Sequence, residues 1–259
     1  MIIDANVHIT PDGKWFHTPH DASLNELLRQ MDEASIDKSV LVPFDGIIHD
    51  DFITKVVTKH SDRFIQATSF NPHNYPDAKK AIDGFKLKIE GSDIKIIKFH
   101  NRLHHYQPDS NLLDEVLTYN DQINSPKIIY LCGLLFSSKV NSFSISPPNF
   151  FHGLAVNFPN TKFVIMHAGG TWALQVSEAI RDCSNVFLDL SMTSKYKTSS
   201  VWMDLKYLVH NFDKRIIWGS DFPEFNIKNC LADFNELAKG LDNIKKENIL
   251  SKNLLNLLA

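Results

Sequence analysis

Short runs of β-branched and aromatic residues recur along the chain, at residues 2–8, 38–44, 64–70, 94–100, 127–133, 162–168, 186–191 and 215–221. Unbroken apolarity over so few positions is the pattern of strands buried on both faces, as in a parallel sheet. Most of the gaps between them carry helical spacing instead. Ser23 introduces LNELLRQMDEA, with Leu24, Leu27, Leu28 and Met31 on one face, and Pro76 opens DAKKAIDGFKLKI with Ala78, Ala81, Ile82 and Phe85. Pro148 opens NFFHGLAVNF in the same way. After the eighth run come LADFNELAKGL, which closes the last unit, and KKENILSKNLLNLLA, which packs the C-terminus. Eight strand–helix units at this length predict an α/β fold, a closed (β/α)₈ TIM barrel forming a single domain over residues 1–259, with an extra C-terminal helix. No Gly-, Pro- or Ser-rich linker and no repeat divides the chain.

Three of the apolar runs end in a group able to bind a metal or move a proton: His8 after IIDANV, His167 after KFVIM, and Asp221 after RIIWGS. A buried strand gives its last position to such a group mainly where that end faces a pocket. A barrel gathers its strand ends at one rim, so strands 1, 4, 6 and 8 bring His8, Lys98, His100, His167 and Asp221 together, with Arg102 just beyond. The stretches Thr10–Ala22, Asn101–Ser110 and Leu134–Ser146 each follow a strand and are expected to be substrate-contacting loops. Trp15 and Phe16, with Trp172 after strand six, are candidates for the pocket wall. Alternation sets Asp4 on the same face as Asn6 and His8, and its expected role is that of a buried structural carboxylate.

Composition narrows the function classes. With 43% hydrophobic and 22% charged residues the chain is neither disordered nor membrane-spanning. Its net charge of −3 and scattered Lys and Arg offer no face for nucleic acid or anionic lipid. Cys132, Cys183 and Cys230 are odd in number and far apart, which indicates neither a disulfide framework nor a thiolate zinc cage. The N-terminus lacks the pattern of a secretory signal, so the expected location is cytoplasmic. The expected partner is a small-molecule substrate, and base rate alone points to a homodimer.

The segments MIIDANVH, FPNTKFVIMHAGG, RIIWGSDFP and ENILSKNLLNLL, in this order over nearly the whole chain, resemble the amidohydrolase-related (amidohydrolase 2) family. That branch includes metal-dependent decarboxylases and a lactonase acting on a pyrone dicarboxylate. The resemblance implies that Asp221 is the general-base carboxylate and His167 the strand-six histidine. The family opens with two histidines separated by one residue, where this chain has Asn6 and His8, and its strand-five histidine falls near Leu131 or Cys132. Two usual metal ligands are therefore missing.

Two modes of action follow. One divalent ion, zinc or manganese, could be held by His8, His167 and Asp221, with Asn6 as a weak oxygen donor. Alternatively Asp221 takes a proton from water without a metal, His167 and His8 polarise the carbonyl, and Lys98, His100 and Arg102 stabilise an oxyanion or hold a carboxylate. The missing imidazoles favour the metal-free mode, which calls for a desolvated Asp221 titrating close to neutral pH. The resulting expectation is a hydrolase that cleaves an ester, lactone or amide of a small carboxylated substrate. A metal-dependent decarboxylase is the alternative, and a barrel that has lost turnover and only binds a ligand is the alternative of another class.

Overall fold

The computed structural model describes residues 1–134 and 146–259. The third long loop expected from the sequence, Leu134–Ser146, thus lies almost wholly outside the described residues. In chain order the elements are β1 (Ile3–Val7), α1 (Leu24–Glu33), β2 (Lys38–Leu41), α2 (Asp50–Lys59), β3 (Phe64–Ser69), α3 (Ala78–Ile89), β4 (Ile96–Phe99), the one-turn α4 (Asn101–His104), α5 (Asn111–Gln122), β5 (Ile128–Cys132), α6 (Pro147–Asn157), β6 (Phe163–Met166), α7 (Ala173–Ala179), β7 (Val186–Asp189), α8 (Val201–Asn211), β8 (Ile216–Ile217), α9 (Ile227–Leu237), α10 (Asn243–Glu247) and α11 (Asn253–Leu258).

Each strand pairs in parallel with the next from β1 to β8. The seam between β8 and β1 is closed by the residues around them: Ala5 N–H donates to Trp218 O at 3.1 Å, Asp221 N–H to Asn6 O at 3.0 Å and His8 N–H to Phe222 O at 2.8 Å. The result is a nearly closed (β/α)₈ TIM barrel.

Alternation along the strands sorts the core into two layers. One apolar cluster draws residues from every strand but β7, from Ile3 and Val40 to Val164 and Ile217, with Phe187 of β7 packed beside it, so it fills the barrel; Leu254 of α11 closes it from one end. The other residues, such as Leu41, Ile97 and Ile165, face the helices. On β4 this places Lys98 on the inner face with Ile96. β1 departs from strict alternation through a register shift between Asp4 and Val7. Ile3 and Ala5 join the inner cluster below the shift, and Asn6 and His8 line the mouth above it.

Helix starts follow local chemistry. Ser23 Oγ caps α1 by accepting from Glu26 N–H at 3.2 Å. In α3 the cap is Asp77, which accepts from Lys80 N–H, so Pro76 stands before the helix and does not open it. α6 begins one residue early, on Pro147. The C-terminal segment is not one helix: a wide turn, Asn248–Lys252, separates α10 from α11. There Ile249 O accepts from Trp218 N–H at 3.1 Å and Asn253 Nδ2 donates to Ile216 O at 2.7 Å, which docks the segment on β8.

Candidate active site

A cleft of about 450 Å³ opens where the strands end, bordered by the loops after β1, β4 and β8. Asn6, His8, Lys98, His100, His167 and Asp221 all line it, and Arg102 stands among them. The sequence-predicted rim residues are thus brought together.

Hydrogen bonds fix which atoms these groups present. His8 Nδ1 lies 2.7 Å from Val42 O and His167 Nδ1 lies 3.1 Å from Ser191 O. A carbonyl oxygen only accepts, so both Nδ1 atoms carry hydrogen. The bare Nε2 of His167 is left for the cleft. His100 is reversed: its Nδ1 accepts from Leu103 N–H at 3.2 Å, capping α4, so its proton sits on Nε2. His100 is therefore a donor and His167 an acceptor. His8 Nε2 faces Asp221 Oδ1 at 3.5 Å, and Asn6 Nδ2 donates to the same oxygen at 2.6 Å.

Burial and charge set the protonation states. Burial would raise the Asp221 carboxyl, but the contact with His8 and the fields of His167 and Lys98 outweigh it and hold it at about 2. Asp221 is therefore ionised at neutral pH. This corrects the expectation of a near-neutral base, because the cluster around it favours the anion more than burial opposes it. Burial lowers His167 to about 3, and burial with the neighbouring charges of Lys98 and Arg102 takes His100 well below its ordinary value, so both rings are neutral. Lys98 is only 1% exposed, and burial lowers it too. Its amine makes no ion pair or hydrogen bond among the described residues.

The shift at His167 has a measurable sign. An imidazole lowered in the folded state leaves the unfolded chain with more bound protons between 6.5 and about 3, so its contribution to stability is complete above 6.5 and is lost as pH falls toward 3. At pH 5 the loss is about 2 kcal/mol relative to neutral pH. Wild type should lose that much more than His167→Gln between pH 7 and pH 5 in chemical denaturation; equal losses would refute it.

Two site residues occupy the left-handed region, His167 at φ 60° and Asp221 at φ 69°. For a residue with a Cβ this costs about 1–2 kcal/mol. Local hydrogen bonds hold both turns: Asp221 N–H to Asn6 O, and His167 N–H to Asp189 Oδ1 at 3.3 Å.

Asp189 and Ser191 brace the candidate site and were passed over by sequence reasoning. Asp189 Oδ1 also accepts from Ser191 N–H at 3.0 Å and from Ser191 Oγ–H. Having donated its only hydrogen, Ser191 Oγ can only accept from Asn6 Nδ2 and His167 Nδ1, each at 3.1 Å. One carboxylate thereby orients two residues of the cleft. The signal was present, since in NVFLD a further apolar run meets a group that can move a proton, here a carboxylate. Asp4 serves the seam: its Oδ1 accepts from Ser220 N–H at 2.9 Å and Asn6 N–H at 3.2 Å, while burial pushes the group up to about 7.

The aromatic expectations divide. Trp15 lines the cleft, lies stacked with His8 at 5.4 Å, and donates from Nε1 to Glu224 Oε2 at 2.9 Å, linking the β1 and β8 loops. Phe16 lines it as well, and Phe44 after β2 adds a wall residue not foreseen. Trp172 does not line it. The segment His167–Trp172, left-handed from His167 to Gly170, carries that ring to the start of α7, where it packs on the core between barrel and helices.

The expected metal set is not assembled. Among the described residues no group of three or more His, Cys, Asp or Glu side chains stands close enough to hold an ion. His8 and Asp221 form a pair without His167 as a third ligand, Asn6 turns its N–H and not its oxygen toward Asp221, and β5 ends on Leu131 and Cys132 with no imidazole. A buried amine, Lys98, shares the same mouth. These residues do not fit a divalent ion.

The profile of the family described as Amidohydrolase matches residues 3–253. No curated protein sequence matches the chain. Among solved structures, an uncharacterized TIM-barrel protein from Bordetella bronchiseptica is similar with a TM-score of 0.78 at 16% identity, over 99% of this chain and 98% of the other. The 5-carboxyvanillate decarboxylase of Sphingomonas paucimobilis gives 0.73 at 13% identity, again over 99% and 98%. A probable 2-pyrone-4,6-dicarboxylic acid hydrolase from Acinetobacter baumannii, with citric acid bound, gives 0.63 at 15% identity over the same shares. At these identities the likeness is one of fold.

Proposed function

The chain belongs to the amidohydrolase family, and from that premise we propose that it is a metal-independent hydrolase cleaving an ester, lactone or amide bond of a small carboxylated substrate. The observation that carries this reading is the opposition, in one cleft, of an ionised Asp221 to hydrogen donors on Lys98 and His100. Asp221 orients a water and takes its proton. A carboxylate held at about 2 is a weak base, so transfer becomes favourable only as the water bonds to the carbonyl carbon and acidifies. The other half of the barrier is lowered at the carbonyl oxygen, where His100 Nε2–H and the Lys98 amine donate to the developing oxyanion. Arg102, whose Nε is buried without a partner among the described residues, supplies the contact for the substrate carboxylate.

The decarboxylase alternative depends on a metal, for which the described residues of the mouth gather no donor set. A pocket that merely binds has no need of His167 and Asp221 in strained conformations, and that strain supports turnover. The test is a panel of small lactones, esters and amides, with and without a free carboxylate, assayed before and after dialysis against a chelator. Turnover of a carboxylated member, unchanged by the chelator, is expected. Turnover abolished by the chelator and restored by zinc or manganese would overturn the metal-free mechanism, and an inert panel would overturn hydrolysis.

A further inference from the structure

Lys98 is the group the hydrolytic scheme uses least fully. A lysine sealed inside a barrel is normally paired with a carboxylate, because an isolated ammonium is costly to bury. Here the side chain lies on the inner face of β4, lines the cleft, and has no carboxylate within ion-pair distance and no hydrogen bond among the described residues. Asp221 and Asp189 favour the ammonium from beyond ion-pair distance, but burial outweighs them, and the two nearby imidazoles, His100 and His167, are neutral. Burial accordingly favours the uncharged amine, whose lone pair is open to a molecule in the cleft.

We propose that Lys98 is a nucleophilic amine that forms an imine with a small oxo acid, an aldehyde or ketone carrying a carboxylate, bound in this cleft. The nitrogen lone pair attacks the carbonyl carbon, a C–N bond forms, and the carbonyl π pair moves to oxygen. His100 Nε2–H faces the cleft as the hydrogen-bond donor to that oxygen, and the bare Nε2 of His167 accepts each proton shed by nitrogen in turn and hands it to the oxygen. The carbinolamine then loses its oxygen as water, the nitrogen pair completing C=N. The two hydrogens of the amine leave in that water, and no oxidant or reductant takes part. Arg102 beside the cleft selects the carboxylate-bearing carbonyl over a neutral one. This activity is separate from water attack on an ester, so either can fail alone.

The full-length wild-type protein is incubated with glyoxylate and sodium cyanoborohydride, which reduces an imine to a stable secondary amine, and the rate of carboxymethylation at each lysine is read by peptide mass mapping. The other lysines are internal standards, among them the exposed Lys80 and Lys239. Burial raises the fraction of free amine at neutral pH, so Lys98 is expected to be labelled faster than these two. Labelling of Lys98 no faster than theirs would overturn the proposal. So would equal preference for Lys98 with propanal in place of glyoxylate, as far as the oxo-acid class is concerned.

Discussion

Replacing Asp221 with Asn is expected to reduce turnover of whichever lactone or ester the wild type cleaves by about 10²–10⁴-fold, with the fold intact. The amide keeps the shape of the carboxylate and one oxygen to accept from Asn6 Nδ2, and Asn is among the few residues at ease in the left-handed region that Asp221 occupies at φ 69°. The Asp221 N–H bond to Asn6 O belongs to the backbone and persists. What disappears is the anion that takes the proton. Steady-state kinetics with circular dichroism and a thermal melt on the same preparation separate the two effects: a variant that melts normally and retains the wild-type rate removes Asp221 as the base.

Asp189→Ala is expected to cost about 3–5 kcal/mol and to abolish turnover as well. Three hydrogen bonds end on Asp189 Oδ1, from His167 N–H, Ser191 N–H and Ser191 Oγ–H, and their loss releases the strained turn at His167 and the orientation of Asn6. The site is tightly built, since a Cβ on Gly219 would stand 2.7 Å from Asp189 Oδ2. Asp189→Asn can keep an oxygen at Oδ1 and should lose far less. Its pH dependence is also defined. Burial raises Asp189 from 3.8 to about 7, so the native state holds the extra proton in that interval, and this group's contribution to stability falls as pH rises through it. The Asn variant, which cannot titrate there, should gain on the wild type between those values and run parallel above them. Denaturation midpoints at pH 5, 6, 7 and 8 check this, and a gap independent of pH would contradict it.

The barrel could be read from the sequence because its strands are buried on both faces and so appear as uninterrupted apolar runs, each overlapping its observed strand. Most rim residues were legible for the same reason: His8, His167 and Asp221 interrupt apolarity at strand ends, and Lys98 and His100 follow Ile96 and Ile97. Asp189 sent the same signal but had no family position to draw notice to it. The role of Asn6 was hidden because a register shift in β1 decides where that side chain points, and pairing irregularities leave little trace in composition. Trp172 was misplaced because four consecutive left-handed residues redirect the chain. The ionisation of Asp221 was misjudged because it depends on groups from β1, β4 and β6, whose distances only the fold supplies.

The seam of the barrel runs through the candidate site. Asn6 and Asp221, bonded through both backbone and side chain, are 215 residues apart in sequence, so the bonds that shut the sheet are among those that assemble the candidate site. Contacts this distant carry a high loop-closure entropy and tend to form late in folding. The mouth therefore becomes competent only when the two ends of the chain have met. A ligand spanning His8 and Asp221 acts as a clasp, and its binding free energy adds directly to the cohesion of the whole barrel.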